Sequence, residues 1–513
     1  VRRTSFLIFC SREHTTNMAK LPRDFMKEMY ECLQEEADDF FASYDQPRTS
    51  GIRANGLKLA SARLLELTGA ARVPIPWADG GFYTDEEERP GKHPYYHLGL
   101  YYIQEPSAML PAELLDVRPG HRVLDLCAAP GGKTTQIAAK LQGEGVLVTN
   151  DNAADRVKAL VKNVELSGVR NAVVLNEEPS RIAEIFGNWF DRVLVDAPCS
   201  GEGMFRKDEE MARQWERRSA GEYVRMQRDI LAQAARMVVP GGQLVYSTCT
   251  FSPRENEGVV AGFLAAHEDF SVVSPGSGYE FGLSPGRPDW LTEDERAGLT
   301  DARRDSLAGA VRVWPHRSRG EGHFAIVLAR SGKVETDGDR IDVGEQAYDR
   351  TASGSNPKRH RAGQRDNEHE LEALRKFEAF RADILPEWQP PGKLAMRGDT
   401  VYAQPFPLPD LGDLRTVRLG WQLGIAGKHR FEPSQALAMG LKPDDAQRQR
   451  TLYIDSAYAD CLRYLKGETL QPDPGSLTGK GWTLVCIDGF PAGWGRWDGM
   501  TLKNERLPGW RWM

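Results

Sequence analysis

From about residue 105 to residue 330, short apolar runs alternate with amphipathic stretches, and this alternation restricts the fold more than any other feature of the chain. Parallel neighbours in a sheet need a long crossover between them, usually a helix, so the alternation predicts an α/β, doubly wound parallel sheet. Val123-Leu124-Asp125-Leu126 reads as the first strand and Thr134 to Leu141 as the helix after it. Gly145 to Thr149 reads as the second strand, and Ala154 to Leu166 as a helix with its stop at Gly168. Ala172 to Leu175, Val193 to Val195 and Gln243 to Tyr246 continue the series, and a helix over about 221 to 238 ends at Pro240-Gly241-Gly242. Phe324 to Leu328 is expected to close the sheet.

The remaining chain divides around this block, since 513 residues exceed one ordinary core. Residues 18 to 104 read as a small α/β domain: helical spacing of Phe25, Met29, Leu33, Phe40 and Phe41, a strand over Arg53 to Lys58, then a helix over Ala60 to Thr68. A Gly-, Pro- and aromatic-rich stretch over about 75 to 97 reads as an ordered loop region. Residues 1 to 17 carry an apolar patch, Phe6 to Phe9, too short for a signal peptide, and read as an extension or a misassigned start. Residues 331 to 368 hold no Leu, Phe, Met or Trp and read as a linker; their cluster Lys358-Arg359-His360-Arg361 is either solvated or in contact with phosphate. Two short modules are expected beyond it, over 369 to 440 and 441 to 513, the latter rich in Gly and Trp from Lys466 onward.

Hydrophobic residues at 40% and charged residues at 27% are the proportions of a soluble globular protein. None of the seven cysteines is paired as C-x-x-C, which argues for a reducing compartment and against a disulfide framework or a metal site. No apolar run is long enough to cross a bilayer, and the cytoplasm is the expected location. A net charge of −7 neither supports nor excludes RNA, because a nucleic-acid-binding face can be local.

In a doubly wound sheet, ligands bind outside the carboxyl ends of the strands, so the loops at those ends carry the chemistry. The first is Asp125-Leu126-Cys127-Ala128-Ala129-Pro130-Gly131-Gly132-Lys133, a tight turn of small residues into a helix. Its glycines permit close backbone approach and its helix start favours an anionic group, although a packing role is the competing reading. Asp151 follows the second strand, where an acid suits a ribose diol; a helix-capping role is the alternative. Two later loops each present a thiol: Cys199 in Asp196-Ala197-Pro198-Cys199-Ser200-Gly201, and Cys249 in Tyr246-Ser247-Thr248-Cys249-Thr250-Phe251. A lone buried cysteine is usually a small hydrophobe, but two at strand ends beside Asp196 suit covalent chemistry. One thiolate can add to C6 of a pyrimidine and make C5 nucleophilic towards a sulfonium methyl; the carboxyl group can stabilise charge developing on the ring, and the second thiol can assist release.

The segments Asp125 to Lys133, Asp196 to Gly201 and Ser247 to Asn256 resemble the RNA 5-methylcytosine methyltransferases of the Nol/Nop/Sun family in identity, order and approximate spacing. Gly99 to Ala112, Gly201 to Asp208, Arg312 to Phe324, Arg430 to Leu437 and Gly489 to Asn504 resemble its bacterial ribosomal-RNA branch, called RsmF. The resemblance implies a Rossmann-like methyltransferase domain over 105 to 330, a small N-terminal α/β RNA-binding domain, an RsmF-type intermediate module and a C-terminal PUA-like RNA-binding region. It implies S-adenosylmethionine as methyl donor, with Ala128, Ala129, Pro130, Gly131, Gly132 and Lys133 holding its methionine end and Asp151 its ribose, Arg156 completing that motif. Glu177, in preference to Glu178, is assigned to the adenine side. Cys249 is implied to attack C6, Cys199 to release product, and Asp196 to contact the target cytosine close to the methyl donor, while Cys127 has no covalent role.

Reaching a cytosine carbon requires the base to leave its stack, so an accessible cytosine in ribosomal RNA, most naturally 16S in the small ribosomal subunit, is the expected substrate. Transfer RNA is the close alternative, and a non-catalytic RNA-binding assembly factor the alternative from another class. DNA is disfavoured because DNA cytosine methyltransferases use the Pro-Cys thiol as nucleophile. Neither a membrane nor a metal is expected, and the default is a monomer. Arg53 and Asn55 either reach RNA or serve their strand, and Trp215, Trp482, Trp494 and Trp497 either stack on bases or belong to cores, the core reading being preferred.

Overall fold

The computed structural model describes residues 21–70, 72–85, 87–215, 220–276, 279–333 and 357–512; the expected extension over 1–17 lies outside them. An N-terminal three-stranded sheet is formed by β1 (Ser50–Ala54), β2 (Gly81–Thr84) and β3 (Tyr101–Ile103), ordered β2-β1-β3. Next come β4 (Arg122–Asp125), β5 (Val146–Asn150), β6 (Ala172–Leu175), β7 (Phe190–Asp196) and β8 (Val238–Thr248), then β9 (Phe270–Val273), β10 (Ser284–Pro285), β11 (Val311–Val313) and β12 (His323–Arg330). After the helix Pro357–Ile384 follow β13 (Lys393–Arg397), β14 (Thr400–Gln404), β15 (Thr416–Leu419), β16 (Trp421–Ala426) and β17 (Phe431–Pro433). A last sheet contains β18 (Thr451–Ile454), β19 (Gly481–Ile487), β20 (Phe490–Trp497) and β21 (Leu502–Asn504).

The central sheet runs β10-β11-β12-β8-β7-β4-β5-β6-β15, with β9 also paired to β12. Strands β6, β5, β4, β7 and β8 are mutually parallel, as the alternation predicts. Alternate residues of these strands point to opposite faces and both faces are covered by helices. Leu124, Val148, Val193 and Val195 pack with Leu231 and Ala234 of helix Ala220–Met237, while Val123, Leu147, Val174 and Leu194 pack with Ile137, Leu160 and Val164. Each such side chain contributes about 1.5–3 kcal/mol by leaving water.

Four expectations need correction. The strand expected over Arg53 to Lys58 is Ser50–Ala54 and stops where Asn55 turns the chain. The helix expected through Phe25 to Tyr44 breaks into Arg23–Leu33 and Ala37–Ala42, because Gln34 takes a positive φ of 51°. Phe324 to Leu328 does not close the sheet: β11 and β10 extend it past β12, and β15 extends it at the opposite edge. Within the expected linker 331–368, residues 334–356 lie outside the description, but the chain is helical from Pro357. The Phe377, Phe380 and Ile384 face anchors that helix in a core, and its polar start continues the same turns.

The switch point of the sheet lies between β4 and β7, where strand order reverses, and this is where a doubly wound fold opens its crevice. The N-terminal region is fastened beside it. Arg53 is buried and gives its guanidinium to Gln104, to Gln136 at 3.1 Å, to the Gly132 carbonyl at 2.9 Å and to Thr135 at 2.9 Å. Asn55 donates to the carbonyls of Gly99 (2.8 Å) and Ser167 (2.9 Å). Both residues join the N-terminal sheet to the central one and are turned away from solvent. Trp494 and Trp497 are buried in cores, Trp482 lies half-buried against Trp494, and Trp215 packs on Phe25.

Candidate active site

The β7 and β8 loops bring the two thiols together: Cys199 Sγ and Cys249 Sγ lie 3.4 Å apart, both half-buried. Parallel pairing of β7 with β8 sets this meeting, since Asp196 stands beside Ser247 in the register and each loop leaves its strand at the same level. The Cys249 loop is tied down on every side. The Thr248 hydroxyl donates to Asn256 at 2.6 Å, Asn256 donates to the Thr250 carbonyl at 2.9 Å, and the Gly203 N–H donates to the Cys249 carbonyl at 2.8 Å. Gly203 is the residue that fits there, because a Cβ would stand 2.7 Å from the Gly322 carbonyl oxygen and 2.9 Å from that of Cys249.

The Cys199 loop is held through Glu255. One carboxylate oxygen accepts from the Ser200 N–H at 3.0 Å and from Gln227 at 2.9 Å, and Gln227 also donates to the Pro198 carbonyl at 2.9 Å. Burial raises the Glu255 pKa. The hydrogen bond to Cys249, and then burial, hold the Cys199 thiol well above the usual thiol range. Protonated Cys199 can therefore donate towards Cys249.

Asp196 sits at the end of β7 with three polar neighbours. Lys133 Nζ donates to Oδ2 at 2.7 Å, the Ser247 hydroxyl donates to Oδ1 at 2.8 Å, and His323 Nε2 stands 3.5 Å from Oδ1. Burial opposes the charge of Asp196, but the Lys133 ammonium and then His323 outweigh it and hold the carboxyl well below the usual carboxylate range. An ionised acceptor with a fixed cation beside it therefore stands where β7 leads into the Cys199 loop.

The first turn forms the adjoining wall. Gly131, at a φ of 111°, precedes helix Gly132–Leu141, and a Cβ there would lie 3.1 Å from Leu160, so only glycine keeps this backbone path open. Asp151 accepts from the Ala129 N–H at 3.3 Å and the Ala153 N–H at 3.0 Å, with Arg156 at 3.4 Å. The helix-capping position itself belongs to Ala153, so Asp151 faces the turn. A helix start, a glycine-lined turn and an acid at the end of β5 form a donor and acceptor set that fits a nucleoside bearing a charged amino-acid tail. Cys127 lies half-buried in this turn, and burial followed by Asp125 raises its thiol pKa. Glu177 is at the end of β6, buried, while Glu178 is exposed.

Sequence reasoning left Ser247, Glu255 and His323 without roles. Each lies inside a motif already singled out, Ser247 and Glu255 in the Thr-Cys segment and His323 in Gly-Glu-Gly-His-Phe, so the signal was present without the geometry. Among the described residues no cluster of His, Cys, Asp and Glu could hold a metal ion, and no helix is long and apolar enough to cross a membrane.

A doubly wound sheet with a glycine-lined first turn, an acid after the second strand and thiol-bearing loops after the fourth and fifth has the architecture of a Rossmann-type methyltransferase. Residues 112–329 match the family model for 16S rRNA methyltransferase RsmB/F, and residues 21–106 that for the N-terminal domain of 16S rRNA methyltransferase RsmF. Residues 379–441 match the RsmF first C-terminal domain and residues 453–512 the RsmF PUA domain. The chain is 32% identical over 502 residues to ribosomal RNA small subunit methyltransferase F of Vibrio campbellii, covering 94% of this chain and 96% of that one. It is also 32% identical over 507 residues to the protein of that name from Aeromonas hydrophila, with the same coverage. A solved methyltransferase homolog from Pyrococcus horikoshii superposes with a TM-score of 0.51 at 27% identity, covering 62% of this chain and 99% of that one. The chain belongs to the RsmF branch of the Nol/Nop/Sun family, a branch of ribosomal RNA methyltransferases.

Proposed function

We propose that the protein transfers a methyl group from S-adenosylmethionine to C5 of a cytosine in 16S ribosomal RNA through a covalent adduct with Cys249. The observation that carries this reading is the pair of thiols 3.4 Å apart beside an ionised Asp196. When bound, the sulfonium cofactor supplies an electrophilic methyl group. The turn from Ala128 to Lys133 would hold its methionine end and Asp151 its ribose hydroxyls.

The Cys249 sulfur bonds to C6 of the flipped cytosine and pushes an electron pair towards C5 and N3. Asp196 accepts a hydrogen bond from the exocyclic amino group, and Lys133, 2.7 Å from Asp196, keeps positive charge close to the electron-rich ring. After C5 takes the methyl group, water in the crevice takes its proton; the C5–H electron pair restores the C5–C6 double bond as the S–C6 bond breaks and Cys249 leaves as a thiolate. Cys199, 3.4 Å from Cys249, would assist this departure by donating a hydrogen bond from its Sγ–H to the leaving thiolate. The PUA region, like the N-terminal domain, would hold the surrounding RNA.

The test is Cys199→Ala protein made in cells and isolated under denaturing conditions. RNA should remain covalently attached, disappear when Cys249 is also changed to Ala, and sequence as 16S ribosomal RNA. Transfer RNA in the adduct would change the substrate. Unchanged methylation of every RNA in Cys249→Ala would overturn the covalent mechanism.

A further inference from the structure

The far edge of the central sheet is built from a distant part of the chain. Strand β15 lies antiparallel to β6, with Thr416 opposite Leu175 and Leu419 opposite Val173. The segment before it is anchored in the methyltransferase core: Phe406 and Leu414 are buried with Val146, Val173 and Ile182, and Leu408 and Leu411 pack against the same cluster.

At the tip of this strand Arg415 meets the cofactor side of the crevice. Its carbonyl accepts from the Asn176 N–H at 2.9 Å, and its own N–H donates to Glu177 Oε2 at 3.2 Å. The guanidinium follows, with Nε 3.4 Å from Oε2 and Nη2 3.3 Å from Oε1. Arg181 approaches Glu177 from its other side at 3.5 Å and holds Asp413 at 2.9 Å. Asp151 is an immediate neighbour, since its carbonyl accepts from Asn176 Nδ2 at 2.8 Å.

The two partners differ in access. The Glu177 side chain is 1% exposed and that of Arg415 is 57% exposed. Of the two partners, only the guanidinium is open to a ligand bound next to Asp151, with the Glu177 carboxylate behind it. A planar guanidinium suits a purine, because it can stack on the ring face and donate to ring nitrogens.

We infer that Arg415, delivered by the C-terminal segment and oriented by Glu177, forms the purine-facing wall of the cofactor site. This rests on the reading of that site as one for S-adenosylmethionine. Glu177 then serves as a positioning residue, a change from its expected role of facing the adenine itself. Cofactor affinity and docking of β15 become coupled, each strengthening the other.

The experiment measures binding of S-adenosylhomocysteine and of S-ribosylhomocysteine, which lacks the purine, to the full chain and to Arg415→Ala and Arg415→Lys. Arg415→Ala should lose about tenfold towards S-adenosylhomocysteine and stay within twofold towards S-ribosylhomocysteine, and Arg415→Lys should follow it because an ammonium lacks the plane. Equal losses for both ligands, or none for either, in both variants would overturn the inference while leaving the cofactor reading standing. Failure of the unaltered chain to bind either ligand would remove the cofactor reading and the inference with it.

Discussion

Lys133→Ala isolates the electrostatics of the site. In the native protein the Lys133 ammonium is 10% exposed and its Asp196 partner 30% exposed, at 2.7 Å. Removing one member of a buried pair leaves an uncompensated charge and costs about 3–5 kcal/mol. Ser247 still donates to Asp196 and His323 still stands beside it, so the lower figure applies, about 3 kcal/mol at neutral pH. That corresponds to roughly 6–12 °C in the melting temperature of a unit the size of the methyltransferase domain.

The sign of the pH dependence follows from the two states of Asp196. Natively its pKa is depressed, so the stability it contributes is present above the ordinary carboxylate range and lost only as pH falls through the depressed value. Without Lys133 the strongest influence opposing burial is gone and His323 alone remains among the cations, so the carboxyl rises from its depressed native value. The variant therefore gains stability relative to the native protein as pH falls and Asp196 takes a proton. Thermal melts of both proteins at pH 8 and pH 5.5 should show a smaller gap at the lower pH. A gap of equal size at the two pH values would mean that Lys133 acts through packing alone, and the electrostatic account of Asp196 would be refuted.

The thiols offer a second check: a disulfide-exchanging oxidant such as glutathione disulfide should join Cys199 to Cys249, given their 3.4 Å separation, and dithiothreitol should reverse it. Peptide mapping that found only separate mixed disulfides would contradict the pairing. Phe251→Ala removes a ring stacked on Trp314 at 5.0 Å and edge-on to Phe40 at 5.2 Å, so it should lower stability by about 3–5 kcal/mol in denaturant melts. Methylation by the protein that stays folded should fall too, because Phe251 is two residues from Cys249. Arg53→Ala should destabilise by about 3 kcal/mol while RNA affinity of the folded fraction stays within twofold, as measured by filter binding; a selective loss of RNA affinity would restore the RNA-contact reading.

What was legible in the chain was the parallel sheet and the loops at its strand ends that form the candidate site. Parallel strands buried on both faces announce themselves as apolar runs, and covalent chemistry on a base demands particular residue types at strand ends, so Cys199, Cys249 and Asp196 stood out from their loops. Neighbour choice was not legible. Thr416 to Leu419 is a four-residue strand whose pattern gives no hint that its partner is β6, some 240 residues earlier. Arg53 misled for a related reason: a charged residue on a short strand looks solvent-directed, and only the arrival of Gln104, Gln136 and the Gly132 carbonyl makes its burial tolerable.

The supports of the Cys249 loop show why distance in sequence hides structural dependence. Phe25 and Phe40 come from the N-terminal helices, Trp314 from the segment after β11, and both groups converge on Phe251. From the sequence the N-terminal region looked like an RNA-holding module attached to a catalytic domain. In the fold it also walls the Cys249 loop, while Arg53 reaches across to the start of the helix after the first turn. RNA pressing on the N-terminal domain would thus act on the same packed aromatics that position Cys249. Packed aromatics shift as a unit because interiors at crystal-like density transmit strain. Substrate docking and nucleophile placement are then one mechanical problem, and a separated methyltransferase block should hold Cys249 poorly even with every catalytic residue intact.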